Sequence, residues 1–394
     1  MRILYAAMKY DYGRPEQGFG FEHYNFYDSL THMGHDVVYF DYMTVLQKQG
    51  RDSMNRRLLD MVRSERPDLM MTVLFKEEFD PAVLREAGKH TATFNWFCDD
   101  HWRFDTFSRH WAPHFTWIVT TAAGAVPKYA ALGMHHVIKS QWGCNHFLYR
   151  RSDLPLKYDV TFVGQPHGNR PRIIEALRKA GINVQVWGNG WESGRVDQEI
   201  MINIFNQSRI NLNLANASVS GDGTTVSAPA LPKASFRHQV SRALDALPFG
   251  RSVKSLTKPW RNDVRIAATA RAHAEIQSSA TETYSEQIKG RNFEVPGCGG
   301  FLLTGKADNL DQYYVDGKEI VTFLHIDDLI AKVKYFLKHE EERSAIAHAG
   351  YLRTLRDHTY ANRFSDIFRQ MGMPNHLCSA GRLESGSGST QEVA

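Results

Sequence analysis

A chain of 394 residues, 42% of them hydrophobic, 23% charged and 12% aromatic, is too apolar for a disordered polymer and too long for one ordinary α/β core, so two compact domains flanking a cleft are expected. The formal charge is only +4, from 47 basic and 43 acidic side chains, which excludes a uniformly basic coat. No stretch approaches the roughly 20 apolar residues that a membrane-crossing helix needs.

The opening run, Met1-Arg2-Ile3-Leu4-Tyr5-Ala6-Ala7-Met8-Lys9, is shorter than the apolar core of a secretory leader and reads as a first buried strand. Short apolar runs then alternate with amphipathic ones, the pattern of βα units in a parallel sheet. Strands are expected at 2–7, 36–41, 69–74, 91–97, 117–121 and 136–140. Helices are expected at 22–33, closed by Gly34, and at 51–65, closed by Pro67. The polar, proline-bearing segment 150–157 reads as a linker between an N-terminal domain, 1–150, and a second domain, 151–358.

The second domain restarts the alternation with a strand at 158–164, a helix at 170–180, a strand at 183–187, a helix at 200–207 and a strand at 210–214. An insertion at 217–283 interrupts it. Within that insertion, residues 233–265 hold eight basic and two acidic side chains, a local balance of +6 that leaves the rest of the chain at −2. Phe236, Phe249 and Trp260 lie among these cations. Two readings fit: a solvated helical hairpin, or a surface for an anionic acceptor such as nucleic acid. Beyond it come a helical turn at 291–297, a strand at 301–304, helices at 326–338 and 340–358, a last helix at 359–375 and a disordered tail at 376–394. The four cysteines, Cys98, Cys144, Cys298 and Cys378, form no C-x-x-C pair, so no zinc or redox motif is indicated and a reducing cytoplasm suits them.

The most informative stretch runs from Gln287 to Thr304. A diphosphate needs cations and backbone N–H groups together, and Lys289-Gly290-Arg291 at a helix start could supply both. Glu294, three residues beyond Arg291, shares its face and would suit ribose hydroxyls; the bland alternative is an exposed helix end with an ordinary surface glutamate.

The segment Gln287-Ile288-Lys289-Gly290-Arg291-Asn292-Phe293-Glu294-Val295-Pro296, with Glu286 eight positions before Glu294, resembles the CgeB-like, spore-maturation branch of the retaining E-x7-E glycosyltransferases. Segments 18–27, 96–100, 159–164, 205–213 and 358–360 resemble the same branch in the same order. The resemblance implies a GT-B fold, in which two Rossmann-like domains face a cleft and a C-terminal helix crosses back to the first domain. It also implies a hexosyltransferase-like enzyme that takes a UDP-, GDP- or TDP-sugar and a hydroxyl acceptor, with retention and without a catalytic metal or further cofactor.

On that resemblance the donor would meet Gly164, Arg170, Gly188, Lys289, Arg291 and Glu294, and the acceptor Gly20, Glu22, His23, Asp99 and Asp100. Arg170 would stabilise the leaving diphosphate, Glu286 would approach the donor sugar, and Asp100 would be the base if the reaction inverts. For several of these a plainer reading stays open. Arg170 could be a solvated first-turn residue, Gly188 a turn former, and the Asp99-Asp100 pair a helix cap. A GT-B-shaped protein that binds nucleotide or glycan without catalysis is the alternative from another class.

Overall fold

The computed structural model describes residues 1–214, 216–217 and 285–374; the insertion with its basic segment 233–265, the tail from 375 and the side chain of Glu286 lie outside the described residues. The first sheet has six parallel strands, β1 (Arg2–Ala6), β2 (Asp36–Phe40), β3 (Leu69–Thr72), β4 (Ala92–Phe97), β5 (Trp117–Thr120) and β6 (Val137–Lys139), in the order β2-β1-β3-β4-β5-β6. Its register pairs Leu4 with Val38 on one side and with Met70 on the other. Helices cover both faces, so β3 and most of β1 and β4 are buried on both sides and read as continuous apolar runs.

The second sheet is built from β7 (Tyr158–Val163), β8 (Val184–Trp187), β9 (Ser208–Asn213), β12 (Leu302–Gly305) and β13 (Val321–Phe323), all parallel, in the order β13-β12-β9-β7-β8. A short pair, β10 (Asn216–Ala217) with β11 (Ser285–Glu286), lies apart from both sheets. In each large sheet the first strand of the unit sits inside, flanked by the second and the third. The strand order therefore reverses at β1/β3 and again at β7/β9, and the carboxyl ends of those strands are where such sheets bind ligands.

Local chemistry explains several elements. The helix Arg51–Glu65 stops where Arg66 turns left-handed, φ 46°, ahead of Pro67. The helix expected at 22–33 begins as one wide π-turn, His23–Tyr27, before the α-turn Asp28–His32. The helix Tyr42–Gln49 starts at Asp41, whose carboxylate accepts the Thr44 N–H, and Pro81–Ala87 starts at Asp80, which accepts from Ala82 N at 2.8 Å.

The last helix, Tyr360–Gln370, returns to the first domain. Tyr360 and Phe364 set their rings 5.2 and 5.8 Å from Phe26, and Phe364 lies 6.0 Å from Trp96. Burying each such ring is worth about 1.5–3 kcal/mol. The chain enters this helix past Gly143, where a Cβ would stand 3.1 Å from the His358 carbonyl oxygen, and Cys144 exchanges hydrogen bonds with both sides of the crossing, to His358 O at 2.8 Å and from Tyr360 N at 3.0 Å. A side chain at 143 would push these backbones apart.

Candidate functional site

The loop after β7, Gly164 to Asn169, feeds the ten-residue helix Arg170–Lys179, so Arg170 stands at the switch point between β7 and β9. Its guanidinium is partly buried, over the Phe162 ring. Nε and Nη2 donate to Leu214 O at 3.2 and 2.9 Å, and Nη1 donates to Gln165 O at 2.9 Å. These bonds tie the end of β9 to the loop after β7 and leave one N–H on each terminal nitrogen. Burial, with the nearby positive charge of Arg291, lowers the Arg170 pKa to about 10.

Lys289 lies just before the helix Arg291–Gly297. Its ammonium donates to Gln287 Oε1 at 2.9 Å. Burial lowers its pKa; Asp99 acts in the opposite sense and Arg170 in the same one. Among the described residues neither Arg170 nor Lys289 is within ion-pair distance of a carboxylate. His167 and His101 border the same region, each held below the ordinary histidine value by burial first, with the Lys289 charge acting in the same sense on both. Desolvated cations, Lys289 lowered further by the Arg170 charge and Arg170 by that of Arg291, with no carboxylate in ion-pair distance of Arg170 or Lys289, are costly unless an anion completes the set.

Arg291 differs. It pairs with Glu294, and burial, which works against its charge, is outweighed by that carboxylate so that its pKa rises. Glu294 has no exposed surface; its Oε2 accepts from Arg291 and its Oε1 from the Tyr149 hydroxyl at 2.9 Å. The ribose contact expected of Glu294 is thus not on offer here, because the carboxylate is enclosed. The free backbone N–H groups expected at this corner are also mostly spoken for: Lys289 N donates to Asn292 Oδ1, and Asn292, Phe293 and Glu294 donate to Lys289 O and Gly290 O. Asn292 is itself held by Asn213 from β9 at 2.8 Å. This buried network, together with Tyr149, had no signal in the sequence beyond the residues being polar.

Gly188 was expected to admit a ligand. Instead its backbone, φ 146°, lies against that of Gly164: a Cβ there would sit 2.3 Å from Gly164 O, an oxygen that also accepts from Trp191 Nε1 at 2.7 Å. The two glycines brace one another at the ends of β7 and β8.

On the first domain, the loop after β1 folds back on itself through Tyr10 and Phe19, with Gly20 N donating to Lys9 O at 2.9 Å. Asp11 in this loop pairs with Arg195 from beyond β8, spanning the two domains. Glu22 is partly buried; burial chiefly, then the negative charges of Asp11 and Asp99, raise its pKa to about 7. His23 stacks on Phe19 at 4.2 Å and on Tyr27 at 5.0 Å, and burial with the Lys9 charge lowers it to about 4. Asp99 sits at the end of β4, its Oδ1 3.4 Å from Gln287 Nε2. Asp100 does not join it. Its carboxylate is turned into the core, accepting from Thr120 Oγ1 at 2.6 Å and Tyr129 OH at 2.9 Å, only 2% exposed, so an acceptor hydroxyl has no path to it. The structure therefore gathers Arg170, Lys289, Asp99 and Glu22 about the switch-point edges and leaves Asp100 and Glu294 in the interior.

Among the described residues no helix is long and apolar enough to cross a membrane, and no cluster of histidine, cysteine or acidic side chains could hold a metal ion. No curated protein sequence matches the chain. Several solved structures share its fold. HepE from Anabaena, in complex with UDP-glucose, superposes with a TM-score of 0.55 at 10% identity, over 94% of this chain and 99% of HepE. Sucrose-phosphate synthase from Thermosynechococcus elongatus gives 0.52 at 9% identity, over 94% and 97% of the two chains. A glycosyltransferase from Rickettsia africae gives 0.52 at 8%, over 94% and 98%. The family model described as glycosyl transferase-like matches residues 170–228 and 241–369. The chain thus has a GT-B fold, and residues 170–228 and 241–369 match the glycosyl transferase-like family model.

Proposed function

We propose that the chain is a glycosyltransferase that moves a hexose-like sugar from a nucleotide-sugar donor to a hydroxyl acceptor. The observation that carries this reading is the pair of partly buried cations, Arg170 and Lys289, at the carboxyl edge of the second sheet with no carboxylate on either among the described residues. A diphosphate between them would exchange the desolvation cost of two cations for charge-assisted hydrogen bonds, which strengthen as the sugar–phosphate bond breaks and negative charge grows. In this reading these cations supply the leaving-group stabilisation, and no metal is required.

UDP, alone and as UDP-glucose, occupies HepE, which makes UDP-sugars the first donors to try, ahead of GDP- and TDP-sugars. The acceptor would approach from the first domain, past Glu22 and Asp99. Retention of configuration stays tied to Glu286, as the CgeB-like resemblance has it.

Donor hydrolysis tests the reading. Wild-type protein should release free nucleoside diphosphate from at least one of UDP-, GDP- or TDP-hexose, and Arg170→Gln with Lys289→Gln should abolish that release. A protein whose melting temperature rises with UDP but that frees no diphosphate from any donor would be a binding module instead.

A further inference from the structure

Gln287 is an amide closed off from solvent, 1% exposed, yet it touches both domains. Its Nε2 donates to the Cys98 carbonyl at the end of β4 at 2.7 Å and lies 3.4 Å from Asp99 Oδ1, while its Oε1 accepts from the Lys289 ammonium at 2.9 Å. The two ends are not interchangeable. The backbone carbonyl and the carboxylate demand a donor, the ammonium demands an acceptor, and of the uncharged side chains of this length only glutamine offers both. The neighbouring Ile288 is fully buried and anchors the segment, so the amide is held in place from the backbone as well.

We infer that Gln287 is a positioning residue that fixes the Lys289 ammonium against the first domain, so that this cation is aimed into the cleft only while the end of β4 is docked on the second domain. The inference rests on the reading of Lys289 as a phosphate-binding cation. Gln287 takes one ammonium N–H and leaves the others for a ligand, and it takes up the Cys98 carbonyl that would otherwise compete for them. The charged and titratable groups around the amide are Asp99, Cys98 and His101 on the β4 side and Lys289, with Arg170 near it, on the other. The apposition of an acceptor-side strand end and a donor-side cation on one amide would let binding on either side of the cleft be felt on the other.

Two measurements separate this inference from the functional reading. The first needs no ligand: amine acetylation of the folded protein, read residue by residue by mass spectrometry, should modify Lys289 slowly in the wild type and several-fold faster in Gln287→Leu, with exposed Lys179 as the internal standard. The second uses UDP, titrated calorimetrically. Gln287→Leu should weaken UDP roughly tenfold, and Gln287→Glu should weaken it at pH 8 but recover as the pH falls. Once protonated, the introduced carboxyl again presents one donor and one acceptor; ionised, it faces Asp99. If Gln287→Leu does not fold, Gln287→Met takes its place, since its unbranched thioether matches the length of the amide but donates no hydrogen bond and is a poor acceptor for an ammonium, and the same faster Lys289 labelling is expected. Unchanged Lys289 labelling in whichever of Gln287→Leu and Gln287→Met folds would overturn the positioning role. Wild-type protein that binds no nucleotide while the labelling behaves as described would leave the positioning intact and remove the donor site.

Discussion

Arg291 and Glu294 stand one turn apart on a seven-residue helix and form an ion pair whose carboxylate is sealed from solvent, with the Tyr149 hydroxyl on its second oxygen. The pair holds the shape of the corner that presents Lys289, and it joins the segment following β6 to the second domain. Removing one charge strands the other. Glu294→Gln should destabilise the protein by about 3–5 kcal/mol, the usual cost of breaking a buried pair, whereas Tyr149→Phe should cost only about 1.5–3 kcal/mol for one hydrogen bond to a charged group. Urea denaturation followed by tryptophan fluorescence checks both. A loss for Glu294→Gln under about 1 kcal/mol, typical of surface pairs, would show that the charge is not enclosed in solution.

The crossing helix makes a separate prediction. Phe364 is fully buried between Phe26, Trp96 and Tyr360, and Phe364→Ala should cost about 3–5 kcal/mol through the cavity it leaves. Since the helix docks on the first domain, amide exchange should quicken around Phe26 and β4 as well as within 360–370.

Glu22 and His23 titrate in opposite senses. The Glu22 carboxyl keeps its proton in the folded protein up to about pH 7, while the unfolded chain loses it near 4.5, so between these values the native state binds more protons and this residue's contribution to stability falls as the pH rises. His23, held near 4 against an ordinary 6.5, does the reverse: the unfolded chain binds the extra proton between those values, and its contribution grows with pH. Subtracting Glu22→Gln from wild type removes the histidine and isolates the carboxyl. The variant should gain on the wild type from pH 5 to pH 8. A difference that does not change with pH would mean that Glu22 ionises in water-like surroundings.

Much of the fold could be read from the chain because parallel strands buried on two faces leave uninterrupted apolar runs. Six such runs in the first half and the first three of the second fall on observed strands to within two residues, and the helix Arg51–Glu65 is bounded by its own punctuation. The strand Val321–Phe323 and the short helix Pro81–Ala87 escaped, being too brief for a period to show. The site was less legible. Lys289 and Arg170 declare themselves as cations at turns, but whether a carboxylate points to the cleft or to the core depends on partners far off in sequence. Thr120 and Tyr129 draw Asp100 inward, and Tyr149 lies 145 positions from Glu294. No local pattern carries such pairings.

The Asp11–Arg195 pair spans the cleft between the loops after β1 and β8, and both side chains reach water, 26% and 40% exposed. An exposed pair contributes under about 1 kcal/mol, so Arg195→Ala should leave the melting temperature within a few degrees of wild type. Its effect belongs on kinetics: with the clasp gone, UDP should dissociate faster in stopped-flow measurements. An unchanged off-rate would show that the two loops do not restrain a bound nucleotide.

If Arg170 and Lys289 form one anion site, calorimetric titration of UDP into the wild type, each single glutamine variant and the double variant will show it. Wild-type protein should bind, each single variant should lose about tenfold or 1.4 kcal/mol, and Arg170→Gln with Lys289→Gln should show no measurable binding. Equal affinity in all four proteins would mean that the two cations do not share an anion.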